Sequence, residues 1–173
     1  VNSITVNEAS PYATFTVTGA SGQYVTLALA STGSGAGYAT LGTDTGNAGT
    51  STNVPLQYFN GSSWVDYAPG TAVQMPGSGT TLLVRTAIVQ DTGYEGAETF
   101  RLVATNTGGT STLSTEGIGT IKDDGTGTVF AYSSTASSAP LAQPAASALD
   151  DDRTVTVNSI TVNEASPYAT FTV

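Results

Sequence analysis

The sequence predicts an all-β protein in which residues 1–125 form an antiparallel β-sandwich of about seven or eight short strands. Two observations lead to this fold class. Apolar residues alternate with Thr, Ala or Ser at a period of two, which is typical of half-buried strands. Turns rich in Gly, Asn and Ser separate these runs, and no stretch keeps helical spacing over two full turns.

The strands are predicted in chain order from their alternating apolar positions. These are Ala13, Phe15 and Val17; Val25, Leu27 and Leu29; Leu82, Val84 and Ile88; and Phe100, Leu102 and Ala104. Between the second and third of these groups, the sequence YFNGSSWVDY contains Asn60-Gly61, which is typical of a hairpin tip.

The composition changes after Gly125. Residues 126–149 are rich in Ser, Ala and Pro, and only 128–132 look strand-like. Pro140 and Pro144 disfavour a continuous helix and a central strand. This part of the chain is therefore predicted to be a linker or an irregular excursion from the domain.

The opening seventeen residues, VNSITVNEASPYATFTV, return without a difference at residues 157–173. A period of 156 residues exceeds the roughly 20–50 residues of a solenoid repeat and suits a string of whole domains. Residues 150–173 are therefore predicted to be an acidic junction followed by the first strands of the next identical repeat. The alternative is a subunit of a non-covalent surface filament, in which 157–173 fills the sheet of a neighbouring subunit.

Charge and residue types exclude several function classes. Four basic residues face thirteen acidic ones, giving a net charge of −9, which disfavours binding to nucleic acid and to anionic membranes. No apolar run approaches the roughly 18–20 residues of a membrane helix. The absence of His and Cys excludes Ser–His and Cys–His nucleophiles. A carboxylate-pair glycosidase stays formally open, but nothing marks a substrate cleft, so the chain is not expected to be an enzyme.

Carboxylates are the chemically capable groups that the sequence holds in quantity, and they stand at predicted strand ends. Loops cluster at the two ends of a sandwich, so these side chains are expected to converge. Ca²⁺ takes six to eight oxygen ligands from such loops. The alternative is that these acids are solvated turn residues that keep the protein soluble. The candidate calcium ligands are Glu8, Asp91, Glu95, Glu98, Asp123, Asp124, Asp150, Asp151, Asp152 and Glu164.

Three segments carry a family resemblance: NSITVNEASPYATFTVTG, VQDTGYEGAETFRLVATN and GIGTIKDDG. Together they resemble the Calx-beta domain, and more closely the tandem Calx-beta-like repeats of large secreted bacterial surface proteins and adhesins. The likeness covers about residues 1–125 and 150–173. It departs from the family at Asp44, which Thr45 and Gly46 follow where an Asp-Tyr pair is usual, and at Gln90-Asp91, where two acids often stand.

The resemblance implies an immunoglobulin-like sandwich that binds Ca²⁺ through acidic loops at one end. By position it implies that the ligands include Glu8, Asp91, Glu95, Glu98, Asp123 and Asp124. It also implies an extracellular protein of the bacterial cell surface, whose partners are neighbouring identical repeats. The function expected from the sequence is that of a structural repeat unit of an adhesin or fibre, with calcium stiffening the Asp150–Asp152 joint.

Two other features have a functional and a structural interpretation. Tyr58, Phe59, Trp64 and Tyr67 flank the Asn60-Gly61 turn and could stack on a carbohydrate of the cell surface, although such aromatic pairs more often stabilise a hairpin. Lys122 could form an isopeptide crosslink with an Asn, but its place beside Asp123-Asp124 favours charge compensation.

Overall fold

The computed structural model describes residues 1–46, 56–77, 80–108, 113–130 and 149–173. Within these ranges the chain forms strands, turns and bends, and no helix. The strands are β1 (Ile4–Asn7), β2 (Tyr12–Thr18), β3 (Tyr24–Ser31), β4 (Gln57–Phe59), β5 (Trp64–Asp66), β6 (Val73–Gln74), β7 (Thr81–Ala87), β8 (Ala97–Asn106) and β9 (Ser114–Lys122). The prediction of an all-β protein is confirmed.

The strands form two sheets. A five-stranded sheet has the order β1-β9-β8-β3-β6, and a four-stranded sheet has the order β2-β7-β4-β5. The four-stranded sheet is antiparallel throughout, as predicted. The five-stranded sheet is mixed because β1 runs parallel to β9. The expectation of a purely antiparallel fold is therefore wrong at this one pairing.

Both sheets contribute to one hydrophobic core. The alternating positions predicted to face inward are buried on β2, β3, β7 and β8. Phe15 from the four-stranded sheet meets Phe100 from the five-stranded sheet edge to face, with ring centroids 5.8 Å apart. The period of two thus identified the buried face of each of these strands correctly.

The predicted hairpin tip is also present. The Asn60 amide donates to the Ser63 carbonyl at 3.1 Å, and Gly61 has a φ of +99°, which side chains other than Gly adopt at a cost. This turn joins β4 to β5, the two strands that carry the aromatic residues Tyr58, Phe59 and Trp64.

The first seventeen residues divide between the two sheets. β1 pairs with β9, whereas β2 pairs with β7, so the two strands do not pair with each other. A turn at Asn7–Ser10 moves the chain from one sheet to the other, with the Ser10 amide bonded to the Asn7 carbonyl. The opening segment therefore joins the two layers at one edge of the domain.

β1 can approach β9 closely because β9 lacks side chains where the two strands meet. A Cβ atom at Gly117 would stand 2.0 Å from the Asn2 carbonyl oxygen. A Cβ at Gly119 would stand 2.5 Å from the Phe100 ring. These glycines leave the space that the opening segment and the core ring occupy.

The domain continues past residue 125. Val6 forms a parallel bridge with Thr128, and Phe130 is buried in the core. The strand-like pattern predicted at 128–132 thus agrees with the structure as far as 130. Most of the predicted linker, residues 131–148, lies outside the described residues. The described chain resumes at 149 and lies at the end of β9, where Asp151 bridges Asp124.

Substitution of Gly117 by Ala should destabilise the domain, because the new methyl group meets backbone that cannot rotate away. We expect the free energy of unfolding to fall by about 1–3 kcal/mol, the usual cost of overpacking. Urea denaturation followed by tyrosine and tryptophan fluorescence measures this loss. Gly77→Ala is the matched control, since a Cβ there meets no atom within 4 Å. Equal unfolding midpoints for the two variants would contradict the close approach of β1.

Candidate metal site

A buried asparagine fixes the acidic junction to the end of β9. The side chain of Asn7 is fully buried, and its amide nitrogen donates to the carbonyls of Lys122, Thr126 and Asp150 at 3.0–3.2 Å. Its Oδ1 accepts from the amide of Asp150 at 2.7 Å. One side chain therefore ties β1, the end of β9 and the segment beginning at 149 together.

Five carboxylates lie near enough to this anchor to repel one another, and we call them the junction group: Glu8, Asp91, Asp123, Asp150 and Asp152. Glu8 follows β1 and accepts from the Asp91 amide at 2.9 Å. Asp123 follows β9, and its carbonyl accepts from the Asp152 amide at 3.2 Å. The group thus collects acids from four separate parts of the sequence, as the prediction of convergence at one end requires.

Three oxygens of the junction group are buried without a hydrogen-bond partner. They are Oδ1 of Asp123, Oδ2 of Asp150 and Oδ2 of Asp152. Buried carboxylate oxygens are normally paired, because removing them from water without a partner is costly. A cation bound near these three oxygens would take the place of the missing hydrogen-bond donors.

A second set, the loop triad, consists of Asp44, Glu95 and Glu98. One oxygen from each of the three lies within 4.8 Å of the other two. Among the described residues, no other set of three acids has oxygens this close together. The oxygens of the junction group are therefore spaced more widely. The Glu95 amide donates to Asp123 Oδ2 at 2.8 Å, which places the two sets side by side.

Asp44 is the site residue that the sequence analysis missed. Its immediate sequence departs from the family pattern, and it stands far in the chain from the acids near β8. Asp44 Oδ2 accepts from the Thr40 amide at 2.6 Å, and the backbone bridge between Thr45 and Ile88 fixes the turn beside the loop before β8. The available signal was an isolated Asp within the glycine-bounded turn Gly42–Gly46.

Burial and mutual repulsion disturb the ionisation of both sets. The pKa of Glu8 rises to about 7, chiefly through burial, with further contributions from the charges of Asp91, Asp150 and Asp123. The pKa of Glu98 also rises to about 7, through burial and then through Asp44 and Glu95. The same causes raise the pKa values of Glu95 and Asp152. The two sets therefore behave as one crowded acidic end of the domain.

The structure separates three predicted ligands from this acidic end. Asp124 accepts from Lys122 Nζ at 3.3 Å and from Thr126, which lowers its pKa. Asp151 forms a two-bonded ion pair with Arg153, at 2.7 and 2.6 Å, which also lowers its pKa. Glu164 lies in the exposed second copy.

The basic residues are engaged outside the acidic end. The ion pairs of Arg101, Lys122 and Arg153 go to Glu116, Asp124 and Asp151 respectively. The guanidinium of Arg85 lies over the ring of Tyr12 at 3.7 Å and that of Trp64 at 4.2 Å. No ion pair recorded for the described residues neutralises the junction group or the loop triad.

The alternative binding features are used mainly within the domain. The Trp64 ring lies under the guanidinium of Arg85 and packs against Phe59. The hydroxyl of buried Tyr67 accepts from the Leu27 amide at 3.0 Å. The sequence suggested that both residues could stack on a sugar. Tyr58 and Phe59 line a surface cavity of about 320 Å³. Lys122 Nζ contacts Asp124 and Thr126, in keeping with charge compensation.

Comparisons with known proteins identify no family for this chain. No protein-family model matches it, and no curated protein matches it. A crystal structure of the Pseudomonas aeruginosa CupB2 chaperone is similar over 70% of this chain and 53% of that chain, with 9% identity and a TM-score of 0.40. The chain thus spans about half the length of that chaperone, and likeness at this level carries no argument about fold or function. In the described part of the chain no helix is long and apolar enough to cross a membrane.

The raised pKa values predict that the metal-free protein loses stability as the pH rises. Glu8 and Glu98 bind protons more tightly in the folded state, at a pKa of about 7, than in the unfolded state, near 4.5. Protonation of these two side chains therefore stabilises the folded state fully below pH 4.5. This stabilisation is lost as the pH rises through 7. In chelator, we expect the free energy of unfolding to fall by a few kcal/mol between pH 5 and 8, since one pKa unit corresponds to about 1.4 kcal/mol.

Thermal and urea unfolding at each pH in chelator test this expectation. The double variant Glu8→Gln/Glu98→Gln should flatten the profile, because neither side chain can then titrate. The control Glu116→Gln removes a surface acid outside the acidic end and should leave the slope as it is. A wild-type profile that is already flat would contradict the crowding of these carboxylates.

Proposed function

We propose that this chain is a structural repeat unit of an extracellular bacterial adhesin or fibre, built on an immunoglobulin-like, Calx-beta-like β-sandwich and rigidified by calcium. The topology supports the fold assignment: two sheets share one core, and β1 runs parallel to the last strand while every other strand pairing is antiparallel. The identical segments at 1–17 and 157–173 support the repeat assignment.

The observation that carries the proposal is the set of buried, unpartnered oxygens at the junction. Asp150 and Asp152 belong to the segment that leads into the second copy, whereas Asp123 ends the last strand of the domain. A cation held between them would bond the domain to the connecting segment. Binding would therefore stiffen the joint between one unit and the next.

The donor set fits calcium better than other common metal ions. Carboxylates and backbone carbonyls are hard oxygen ligands, and the chain has no His or Cys to favour zinc. Mg²⁺ usually keeps several waters and binds through one or two carboxylates, whereas the acidic end offers eight. Asp44, Glu95 and Glu98 have oxygens within 4.8 Å of one another and could hold one ion as they stand. Asp123, Asp150, Asp152 and Glu8 would hold another by drawing their more widely spaced oxygens together around it.

A mechanical role also agrees with the chemistry that the chain contains. The net charge of −9 would keep a long fibre soluble and would repel anionic surfaces. Calcium at millimolar extracellular concentration would neutralise the acidic ends of successive units. A structural unit needs no substrate cleft, only a stable domain and a stiff joint.

Calcium should stabilise the protein by linkage, by about 2.7 kcal/mol at a free concentration one hundred times the Kd. The test compares unfolding with calcium and with chelator for Asp123→Asn and for its sequence neighbour Asp124→Asn. Asp123→Asn should lose most of the calcium-dependent gain because it removes charge from the junction group. Asp124→Asn should keep it because that side chain bonds to Lys122 and Thr126.

A second matched pair tests the role of the connecting segment itself. Asp152→Asn should weaken calcium binding in isothermal titration calorimetry, whereas Asp151→Asn should only release Arg153. Wild-type protein whose unfolding is the same with calcium and with chelator would overturn the proposal and leave the acids as solvated turn residues. If both members of a pair lost the same amount of calcium-dependent stabilisation or calcium binding, the effect would be bulk charge screening and not a specific site.

A further inference from the structure

The second copy of the opening segment presents the surface that the first copy buries. In the first copy Val6 and Phe15 are 0% exposed, packed between the sheets. Their counterparts Val162 and Phe171 are 50% and 57% exposed. The same residues that complete one domain are therefore left uncovered 156 positions later.

The second copy nevertheless keeps the local conformation of the first. The Asn158 amide donates to the Thr172 carbonyl at 3.1 Å, as the Asn2 amide does to Thr16. The Thr172 amide donates to Asn158 Oδ1 at 2.7 Å, again as in the first copy. The turn is also retained: Asn163 Oδ1 accepts from the Ala165 amide at 2.9 Å, matching Asn7 and Ala9 at 3.0 Å. The segment thus has the shape of the strands it repeats without the sheets that hold them.

We propose that Val157–Val173 binds to β7 and β9 of a second copy of this chain, in the place that Val1–Val17 occupies there. This inference deepens the proposed function by naming the partner, and it rests on that function only in treating the chain as a repeated structural unit. The register follows from the first copy: Ile160 faces Gly119, Asn163 faces Lys122 and Phe171 faces Val84 of the partner copy.

The segment cannot reach the corresponding place in its own domain while the junction is intact. The Asp152 amide is bonded to the Asp123 carbonyl, at the far end of β9. Val157 would have to stand beside Gly117, where Val1 stands now. Six strand residues separate Asp123 from Gly117, which is about 20 Å. The five residues from Asp152 to Val157 span at most about 18 Å when fully extended.

The buried anchor of the first copy fixes the register of the second. Asn163 would donate to the carbonyls of Lys122, Thr126 and Asp150 of the partner copy, as Asn7 does within its own domain. A slip by one residue would leave those buried groups unpaired and turn the apolar face to solvent. In the correct register Glu164 would take the place of Glu8 at the acidic end of the partner. This gives Glu164, the predicted ligand in the exposed second copy, a place at an acidic end.

Since the two segments are identical, exchange of one for the other is neutral in contacts. The resident copy has the advantage of being tethered beside its site, so a complete chain keeps its own segment. Assembly should therefore appear when the resident copy is impaired. A head-to-tail contact of this kind joins each unit to the next and produces open chains unless the rotation between units closes a ring.

The same substitution placed in either copy of the full chain tests the inference. Phe15→Asp impairs the resident segment and leaves 157–173 intact, so this variant should associate, and its weight-average mass should rise with concentration to at least about twice that of the monomer. Phe171→Asp impairs only the exposed copy and should remain monomeric. The double variant Phe15→Asp/Phe171→Asp has no intact copy of the segment and should neither associate nor fold. Analytical ultracentrifugation and circular dichroism, each with calcium and with chelator, provide the readouts.

A synthetic peptide of residues 157–173 distinguishes specific assembly from aggregation or unfolding. It should restore a folded monomer to the double variant and shorten the assemblies of Phe15→Asp, whereas the peptide carrying Phe171→Asp should do neither. Because the chain has no Cys, the register can be tested with Thr120→Cys and Thr161→Cys on the Phe15→Asp chain, which should crosslink between molecules more readily than Thr120→Cys with Ser159→Cys. Failure of the peptide to restore folding, or equal crosslinking by both pairs, would overturn the inference. Assembly in chelator would show that it holds even if calcium plays no part.

Discussion

The buried amide of Asn7 is the interaction on which the arrangement of the acidic end depends. Its side chain, at the end of β1, bonds to the backbone at the end of β9, at residue 126 and at Asp150. Backbone carbonyls removed from water need donors, and this side chain supplies them at the centre of the group. With these segments fixed, the acids that follow them in sequence, Glu8, Asp123 and Asp152, meet at one place.

The acidic end opposes folding through charge and burial at once. Eight carboxylates crowd together, and burial with neighbouring charge raises the pKa values of Glu8 and Glu98 to about 7. Among the described residues, the ion pairs go to Glu116, Asp124 and Asp151 and so leave the charges of these eight acids uncompensated. A domain with this construction gains from any divalent cation that binds there. The stiffness of the proposed fibre would thus depend on the calcium concentration outside the cell.

Repetition gives the opening segment two roles. Within the domain it completes both sheets, since β1 joins one and β2 joins the other. Beyond the junction the same residues carry the same turn and the same local bonds, while their apolar face is open. Since the junction is too short for the segment to return to its own domain, the surface that we propose to cover it belongs to another unit. A covalent string of repeats and a filament of exchanged strands would use the same contacts.

The sequence by itself determined the all-β class, the inward faces of the long strands, the Asn60-Gly61 turn and the convergence of the acids near Glu8, Asp91, Glu95, Glu98 and Asp123. These depend on period, turn chemistry and chain order, all of which are local. Only the tertiary structure decided that β1 lies parallel to β9, that Asp44 joins Glu95 and Glu98, and that Asp124 and Asp151 turn to basic neighbours instead. The first two outcomes depend on which distant segments share a sheet edge or a turn, and no pattern along the chain encodes that. For the third, the sequence places Lys122 and Arg153 two residues from Asp124 and Asp151, and only the fold selects these carboxylates over Asp123 and Asp152 as their partners.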